Sequence, residues 1–389
     1  MHAPRPAATP TLLKRLNEET VLGTIRAGAP ISRAEISRRA RISKPTVSLA
    51  LQALLDAGLV RESSARPPGP RYGAVYFEPV DEAALVLGID VGAHFLRGAI
   101  GDLSGTMRAR RDDELAGAHA DEVLDAIVRM RDQLVDAAGL PSRLIDAVVV
   151  GVPGVVEAAT GTIRLASNVE GLDGRRFGEE LAVRLGHAVT VENDVNLAAL
   201  GEGRDGVARG VDNYVVLSIG TGLGAGLVLR GELQRGQNGA AGELDYVRAG
   251  SEEELDPSAG AFSELAARLA EGAVTALTPP YDPRAVFAAA RAGDAVAGAV
   301  VAEEARRIAR HLVPMAAVTD VGLVVLGGGI GANPELLDGV RRLLPAWLPY
   351  PPKVELSSLA DSAVLMGALA VGLRSALDRV FVNRRDGAA

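Results

Sequence analysis

Leu87-Gly-Ile-Asp-Val-Gly92 and Leu217-Ser-Ile-Gly-Thr-Gly222 are two similar stretches that lie 130 positions apart in this chain of 389 residues. Each continues into a second β-like run, 96–100 after the first and 225–229 after the second. A strand, a glycine turn and a second strand form a hairpin. The repeated hairpin, together with the helical patterns that alternate with the apolar runs from residue 84 onward, predicts an α/β body of two similar lobes.

The glycine turns of these hairpins are candidate phosphate loops. Glycine lets an anion approach the main chain, and successive N–H groups form an anion-binding concavity. Tight strand turns also need glycine for steric reasons alone, so this alternative stays open. A third cluster, Gly327-Gly-Gly-Ile-Gly331, follows the apolar run 322–326. The three clusters together favour a nucleotide-shaped cleft between the lobes, with phosphate-loop-like positions at Asp90, Gly92, Gly220, Thr221 and Gly222.

Polar residues end two apolar runs between the hairpins. The run 148–152 leads into Pro153-Gly154, and the run 189–191 leads into Glu192-Asn193-Asp194. Strand ends are where an α/β sheet usually presents its ligand groups. Asn193 and Asp194 could therefore bind adjacent hydroxyls, and the carboxylate could act as a general base. The alternative is that one of them simply caps the helix predicted over 197–201.

The first 79 residues have the pattern of a winged helix-turn-helix. Apolar residues at helical spacing predict a first helix that ends at Arg26-Ala-Gly-Ala-Pro30. Ser32, with Glu35 three residues later, has the capping-box spacing and predicts a short second helix. Ser43 is the expected N-cap of a third helix. The runs 59–62 and 74–77 then predict two strands around a turn rich in Pro and Arg, which would form the wing.

The third helix of such a unit can lie in the DNA major groove. Val47 and Leu51 would face the core, whereas exposed polar groups near the start of the helix would contact DNA. A wing can reach phosphate or the minor groove. The predicted DNA-binding residues are Arg41, Ser43, Lys44, Thr46, Ser48, Arg66 and Arg71. The alternative is a three-helix packing module without any partner.

Composition supports a basic head on an acidic body. Residues 1–79 carry 12 Lys and Arg against 6 Asp and Glu, a net charge of +6, which leaves −14 for the remainder. Such a head suits nucleic acid, because neutralising phosphates supplies much of the affinity. The chain has no cysteine, which excludes disulfides, thiolate metal sites and a cysteine nucleophile. No signal peptide and no stretch of about 18 uninterrupted apolar residues is visible, so we expect a cytoplasmic protein without membrane contact.

Taken together, these segments resemble the ROK family of repressors, open reading frames and kinases, in its regulator branch with an appended winged helix. The resemblance covers residues 13–373. It rests on Leu87-Gly-Ile-Asp-Val-Gly92, Gly151-Val-Pro-Gly154, Ser167-Asn-Val-Glu-Gly-Leu-Asp173, Glu192-Asn-Asp194, Ile219-Gly-Thr-Gly-Leu-Gly-Ala-Gly226, Gly239-Ala-Ala-Gly-Glu243 and Leu326-Gly-Gly-Gly-Ile330.

The resemblance implies an actin/hexokinase-like, that is ribonuclease H-like, two-lobed fold that binds a sugar in its cleft and forms dimers or tetramers. In the family's kinases the aspartate that matches Asp194 deprotonates the sugar hydroxyl that attacks ATP. The implied sugar contacts are Asn168, Gly171, Asn193, Asp194, Glu243 and Tyr246.

Three departures from the family pattern stand out. His94 and Phe95 occupy positions where the kinases carry threonine, often followed by lysine, near the first phosphate loop. The family's structural zinc site normally uses a histidine where this chain has Ala240, and a cysteine-rich segment downstream, so we expect no metal here. Tyr246 replaces a histidine that often contacts the sugar, which leaves the sugar preference open.

These patterns predict a disordered segment at 1–10, a winged helix-turn-helix over 11–79, a ROK domain over 80–380 with lobes 80–190 and 191–375, and a flexible tail at 381–389. Our first hypothesis is a sequence-specific DNA-binding transcription regulator of carbohydrate metabolism genes, in the first place a repressor. It would act without cofactors, as a homodimer or homotetramer on a palindromic operator, under control of a sugar or sugar phosphate. The alternatives are an ATP-dependent sugar kinase with Asp194 as its catalytic base, and a protein-sensing regulator whose cleft is empty.

Overall fold

The computed structural model describes residues 10–65, 74–115, 119–140, 145–166, 168–244 and 255–383. They form a small N-terminal head and a body of two lobes, and each lobe is built on a five-stranded sheet. The predicted winged helix-turn-helix and two-lobed α/β body are therefore both present.

Three helices and a three-stranded antiparallel sheet of order β1-β3-β2 form the head. Val47 and Leu51 pack in its core, as predicted, together with Leu22, Ile36 and Phe77. The head elements are α1 (Pro10–Gly28), β1 (Ile31–Ser32), α2 (Arg33–Ala40), α3 (Lys44–Asp56), β2 (Val60–Glu62) and β3 (Tyr76–Pro79).

The two predicted helix caps in the head are confirmed. The Ser32 hydroxyl accepts a hydrogen bond from the backbone N–H of Glu35, and the Ser43 hydroxyl accepts one from that of Thr46. The capping box itself is only half formed, because the Glu35 carboxylate pairs with Arg38 and Arg39 on its own helix. Two arginines one turn further on attract this carboxylate more strongly than a single backbone N–H does.

The first lobe contains one of the two predicted hairpins, β4 and β5, whose register pairs Asp90 with Arg97. Its sheet has the order β6-β5-β4-β7-β10, and β7 and β10 run parallel to β4. Its elements are β4 (Leu85–Val91), β5 (Phe95–Gly101), β6 (Met107–Glu114), α4 (Ala120–Ala138), β7 (Ile145–Val152), β8 (Val155–Val156), β9 (Ile163–Arg164), α5 (Phe177–Leu185) and β10 (Val189–Asn193).

The second lobe repeats this design. Its sheet has the order β13-β12-β11-β14-β15, with β14 and β15 parallel to β11, so both lobes place their strands in the spatial order third, second, first, fourth, fifth. The elements that follow β10 are α6 (Asp194–Asp205), β11 (Tyr214–Ile219), β12 (Leu223–Leu229), β13 (Glu232–Leu233), α7 (Ala259–Ala270), α8 (Pro283–Arg291), α9 (Ala295–Thr319), β14 (Leu323–Gly327), α10 (Gly328–Gly331), α11 (Pro334–Trp347), β15 (Lys353–Leu356) and α12 (Ala363–Asn383).

The last helix, α12, returns to the first lobe and to the head. Its leucines Leu365, Leu369 and Leu373 are buried in one cluster with Val86 of β4 and with the head core. Full burial of each leucine stabilises the fold by about 1.5–3 kcal/mol. The segment 360–378 is long and apolar enough to cross a membrane, but here much of that apolar surface packs against the protein.

Helices α1 and α12 extend into the terminal segments that the sequence predicted to be irregular. Helix α1 begins at Pro10 and α12 continues to Asn383, so one residue of the predicted disordered start and three of the predicted tail are helical. The predicted second lobe, 191–375, includes an α12 that packs on the first lobe, because its buried face fits the sheet of that lobe.

Helices α6 and α12 touch through their backbones. A Cβ at Gly367 would overlap the carbonyl oxygen of Leu197, and one at Gly201 would overlap that of Ala363. Glycine is needed at both positions because only it permits this approach. The two helices therefore form one closely packed pair.

Candidate functional site

The start of α3 carries most of the predicted DNA-binding residues. Arg41, Ser43 and Lys44 are exposed, and Thr46 and Ser48 are partly exposed. The hydroxyls have local partners, since Ser43 bonds to Thr46 at 2.8 Å and Ser48 donates to the carbonyl of Lys44 at 3.0 Å. Arg66 and Arg71 lie outside the described residues. The two cations in this set that the structure describes, Arg41 and Lys44, flank the turn between α2 and α3.

Arg41 has a left-handed backbone conformation, with φ 55° and ψ 35°, at the C-cap of α2. Glycine adopts this conformation freely, whereas other residues pay an energetic cost of about 1–2 kcal/mol for it. A long cation therefore stands where glycine would be the more stable choice. Backbone outliers of this kind cluster at functional sites, although five other non-glycine residues among those described share a positive φ.

Asp194 lies at the start of α6, where carboxylates from three segments meet. Burial, together with the neighbouring carboxylates of Asp90 and Glu243, raises its pKa to about 7. Its Oδ1 accepts the backbone N–H of Val195 at 2.8 Å. A carboxylate of this pKa exchanges protons near neutrality and can accept hydrogen bonds from hydroxyls once it is ionised.

Asn193 is the N-cap of α6, so the capping alternative describes its side chain correctly. Its Oδ1 accepts the N–H of Asn196 at 2.9 Å, while its Nδ2 donates to the carbonyl of Gly154 at 3.0 Å. Asn193 thus joins β10 and α6 to the Pro153-Gly154 turn. The cap fixes the backbone at the point where Asp194 begins α6.

Glu192 and Arg235 form a polar support beneath this cap. One Glu192 oxygen accepts the N–H of Asn193 and the side-chain amide of Asn196, both at 3.0 Å, and the other accepts Arg235 Nε at 2.6 Å. Arg235 belongs to the segment between β13 and Glu243. The ion pair therefore holds that segment against the end of β10.

The loop with Asn168 and Gly171 lies beside His119. Both loop residues are exposed, and Gly171 has a positive φ of 73°. A Cβ at Gly171 would overlap His119 Nε2, and the backbone N–H of Ala120 donates to the carbonyl of Glu170. The preceding residues 164–166 pass against Gly154, which ties the loop to Asn193. Ser167 and Tyr246 lie outside the described residues.

The glycine turns occupy both lobes. Gly92 closes the β4–β5 hairpin by donating to the carbonyl of Phe95, and Gly220 closes the β11–β12 hairpin by donating to that of Gly222. A Cβ at Gly328 would overlap the carbonyl oxygen of Ile219, so the second and third glycine clusters are in contact. Thr221 is exposed at the tip of its turn.

An arginine neutralises the carboxylate of the first phosphate-loop-like turn. Arg97 Nη1 lies 3.2 Å from Asp90 Oδ2, and its Nε lies 3.5 Å from Asp112 Oδ2. Burial raises the pKa of Asp90 to about 6, although Arg97 opposes the rise. This carboxylate already has a cationic partner, which a Mg²⁺–triphosphate would have to displace.

The residues of the family zinc position do not fit that metal. Ala240 offers no ligand atom and the chain has no cysteine. Among the residues that the structure describes, no group of three or more His, Asp or Glu is arranged to hold a metal ion. Tetrahedral zinc sites need such nitrogen, sulfur or carboxylate ligands.

Models of known protein families match both the head and the body of this chain. A model of the ROK family matches residues 86–374, which is most of the chain. This chain belongs to the ROK family. A model of the MarR family matches residues 17–67, which covers the helix-turn-helix. The family resemblance and the fold class inferred from sequence are both confirmed.

Relatives of this ROK protein match both parts of the chain. A xylose repressor from Caldicellulosiruptor bescii is 25% identical over 387 residues, which cover 93% of this chain and 96% of the relative. Other xylose repressors match over 59% to 62% of their own length. The structure of a ROK family transcriptional regulator, described as a homologue of the Escherichia coli MLC protein, has a TM-score of 0.76 and 23% identity, covering 95% of this chain and 98% of that one.

A kinase structure shares the body alone. A ROK family glucokinase from Streptomyces griseus in complex with glucose and AMPPNP has a TM-score of 0.64 and 26% identity. It covers 75% of this chain and 100% of its own. The head is thus the part that distinguishes this chain from that kinase.

Sequence reasoning missed Arg97, His119 and Arg235. Arg97 faces Asp90 across a hairpin, so strand register could have found it once the hairpin was predicted. His119 lies far along the chain from Gly171, and Arg235 lies far from Glu192, so no local pattern marks either contact.

Proposed function

We propose that this ROK protein is a DNA-binding repressor of sugar-metabolism genes that responds to a sugar or sugar phosphate in its cleft. The observation that carries the proposal is the match of head and body together to a xylose repressor over 93% of the chain. It acts as a cytoplasmic homodimer, whose two heads address a palindromic operator. Residues 11–79 bind DNA and residues 80–380 bind the effector.

The sugar contacts in this proposal are Asn168, Gly171, Asn193, Asp194, Glu243 and Tyr246. The position of Asp194 beside Asp90 and Glu243 supports them, because adjacent carboxylates and amides suit a ligand with several hydroxyls. D-xylose and D-glucose are the first sugars to test, since the relatives are xylose repressors and a glucokinase.

Effector control requires a link from cleft to head, and α6 with α12 supplies it. Helix α6 starts at Asp194, a proposed sugar contact, and the side chain of its Arg204 lies beside that of Arg26 of α1 at the Gly105 turn. Burial and the charge of Arg204 lower the pKa of Arg26 to about 10, while Asp102 and Asp205 oppose that change. Helix α12 reaches the head through its leucines and through the ion pair of Asp378 with Arg15. A displacement of α6 therefore shifts both contacts with the head.

Sugar phosphorylation is the competing function, since Asp194 is present. Two features oppose this function. Arg97 already pairs with Asp90, and His94 and Phe95 supply neither the hydroxyl nor the ammonium group that would bind the triphosphate. We expect no ATP turnover above the buffer rate with D-xylose, D-glucose or N-acetylated hexoses. Turnover that Asp194→Asn abolishes would establish the kinase instead.

The proposed function is tested by selecting operators from genomic fragments with the full chain, followed by gel-shift titration at several salt concentrations. The expected result is sequence-selective binding that weakens with salt, because phosphate contacts release counterions. Binding without sequence preference would contradict the proposed repressor function. Absence of any thermal shift with sugars or sugar phosphates would favour the protein-sensing alternative.

Replacing Arg41 by glycine separates stability from DNA binding. Glycine relieves the left-handed backbone, so we expect the free energy of unfolding to rise by about 1 kcal/mol. The operator affinity should fall severalfold and its salt dependence should weaken, because one phosphate contact is lost. Urea unfolding and gel shifts measure the two effects. Arg33→Ala, an exposed change on α2, is the matched charge control; a glycine variant that retains full affinity would exclude Arg41 from the interface.

Replacing Arg235 by methionine tests the support beneath Asn193. The variant removes the cation from Glu192 but keeps much of the side-chain length. Because Arg235 is about half exposed, we expect sugar affinity to fall by only about two- to fivefold. Calorimetric titration measures this, with the exposed Arg209→Met as control. Equal affinities of both variants would show that the ion pair has no part in positioning the site.

A further inference from the structure

The outward face of α3 presents a leucine to solvent. Val47, Ala50, Leu51 and Leu54 are buried on one side of the helix. Leu49 lies on the opposite side and is 75% exposed. Gln52, three residues later, is exposed on that same side. Residues 49 and 52 therefore share the face that points away from the core.

The hydroxyls near the start of α3 are already engaged within the head. Ser43 caps the helix and bonds to Thr46, and Ser48 donates its proton to the Lys44 carbonyl. The Ser43–Thr46 pair retains one hydroxyl hydrogen, whereas the Ser48 hydrogen is fully used within the helix. Side chains further along the outward face are therefore additional candidates for direct readout of bases.

The positive charge of the head indicates that this face of α3 binds DNA. The first 79 residues carry a net charge of +6, and Arg41 and Lys44 flank the end of α3 from which the outward face begins. A duplex held by these cations presents its major groove to the helix. The thymine methyl is the apolar group of that groove, and a leucine side chain can pack on it.

Gln52 suits the adenine side of such a site. Its Nε2 donates one hydrogen to Asp56 Oδ1 at 2.8 Å. The second amide hydrogen and the carbonyl oxygen remain for N7 and N6 of adenine, which is the bidentate pairing that glutamine makes in the major groove. Asp56 thereby holds the amide in one orientation.

We propose that Leu49 and Gln52 determine operator specificity by reading A·T base pairs in the major groove, Leu49 through a thymine methyl and Gln52 through an adenine edge. The inference rests on the DNA-binding function proposed above. It places base recognition on the second and third turns of α3, while Arg41 and Lys44 contact phosphate.

The test selects binding sites for the full chain from a library of 30-bp duplexes with random centres. In the enriched site each thymine is then replaced singly by deoxyuridine, which removes only the methyl group. Wild type should lose about fourfold in affinity at one position, which is the contribution of one methyl. Leu49→Ala should show no further loss at that position. Val183→Ala, at a valine of α5 that is 84% exposed, is the matched control and should behave as wild type.

The same library separates the two proposals. Selection with Gln52→Ala should relax one adenine position that wild type requires, because that variant lacks the amide. If no sequence is enriched by wild type, the repressor proposal itself fails. If a site is enriched but deoxyuridine weakens wild type and Leu49→Ala equally, or Gln52→Ala selects an unchanged site, the base-reading assignment is wrong while the DNA-binding function stands.

Discussion

Alanine at Gly367 is expected to lower the free energy of unfolding by about 2–3 kcal/mol. A Cβ there would overlap the carbonyl oxygen of Leu197, so α6 and α12 would have to separate. Forcing extra atoms into a packed core typically costs about 1–3 kcal/mol, and a backbone atom cannot move aside as a flexible side chain can. Urea unfolding measures the change.

The control for this prediction is Gly298→Ala. Gly298 lies in α9, and a Cβ there would meet no atom within 4 Å. Alanine has the higher helix propensity, so the control should gain about 0.5–1 kcal/mol. Equal stability of the Gly367 and Gly298 variants would contradict the backbone contact that joins the two helices.

Asparagine at Asp194 is expected to weaken sugar binding strongly and to stabilise the fold at high pH. A hydrogen bond to a charged group contributes about 1.5–3 kcal/mol, so its loss should weaken sugar binding by at least about tenfold. Because the ionised form of Asp194 accepts hydroxyls, sugar affinity of the wild type should rise as the pH increases through 7.

The same substitution, Asp194→Asn, should stabilise the fold although it weakens sugar binding. The folded state raises the pKa of Asp194 from 3.8 to about 7, so folding favours the protonated carboxyl. This contribution is fully present below pH 3.8 and is lost as the pH rises through 7. At pH 8 the asparagine variant should therefore be the more stable, by up to about 4 kcal/mol, and by less where water reaches the partly accessible carboxylate.

Unfolding titrations at pH 5 and pH 8 measure this difference. Asp132→Asn on α4 is a suitable control, because that carboxylate is well exposed. A gap between wild type and Asp194→Asn that stays constant from pH 5 to pH 8 would show that Asp194 ionises as an ordinary surface carboxyl does. Retained sugar affinity would remove Asp194 from the binding site.

The hairpins and the helix caps could be predicted because their causes are local. The glycine turns after Asp90 and Ile219 and the capping serines Ser32 and Ser43 act within a few residues of chain. The position of α12 could not be predicted in this way. Its apolar residues indicate burial but do not say against which lobe, and the contact with Val86 is set by the fold as a whole.

The candidate sugar site likewise combines local features that could be predicted from the sequence with long-range contacts that could not. We expected ligand groups at the ends of strands, and Asn193 and Asp194 do lie at the end of β10 and the start of α6. This position could be predicted because the end of an apolar run is visible in the sequence. The convergence of Asp90 with Asp194 depends on the order of β4, β7 and β10 in the first sheet, and the ion pair of Arg235 with Glu192 depends on how the second lobe meets the first. No periodic pattern in the sequence encodes those long-range contacts.

The most direct test of the link between cleft and head is the operator affinity of the full chain with and without saturating sugar, in the wild type and in Arg204→Met. The sugar should change wild-type affinity at least about tenfold, which is within the usual range of allosteric coupling. The variant should bind sugar and operator separately as the wild type does but lose most of that change. A sugar that binds in the cleft and leaves the wild-type operator affinity unchanged would contradict the link.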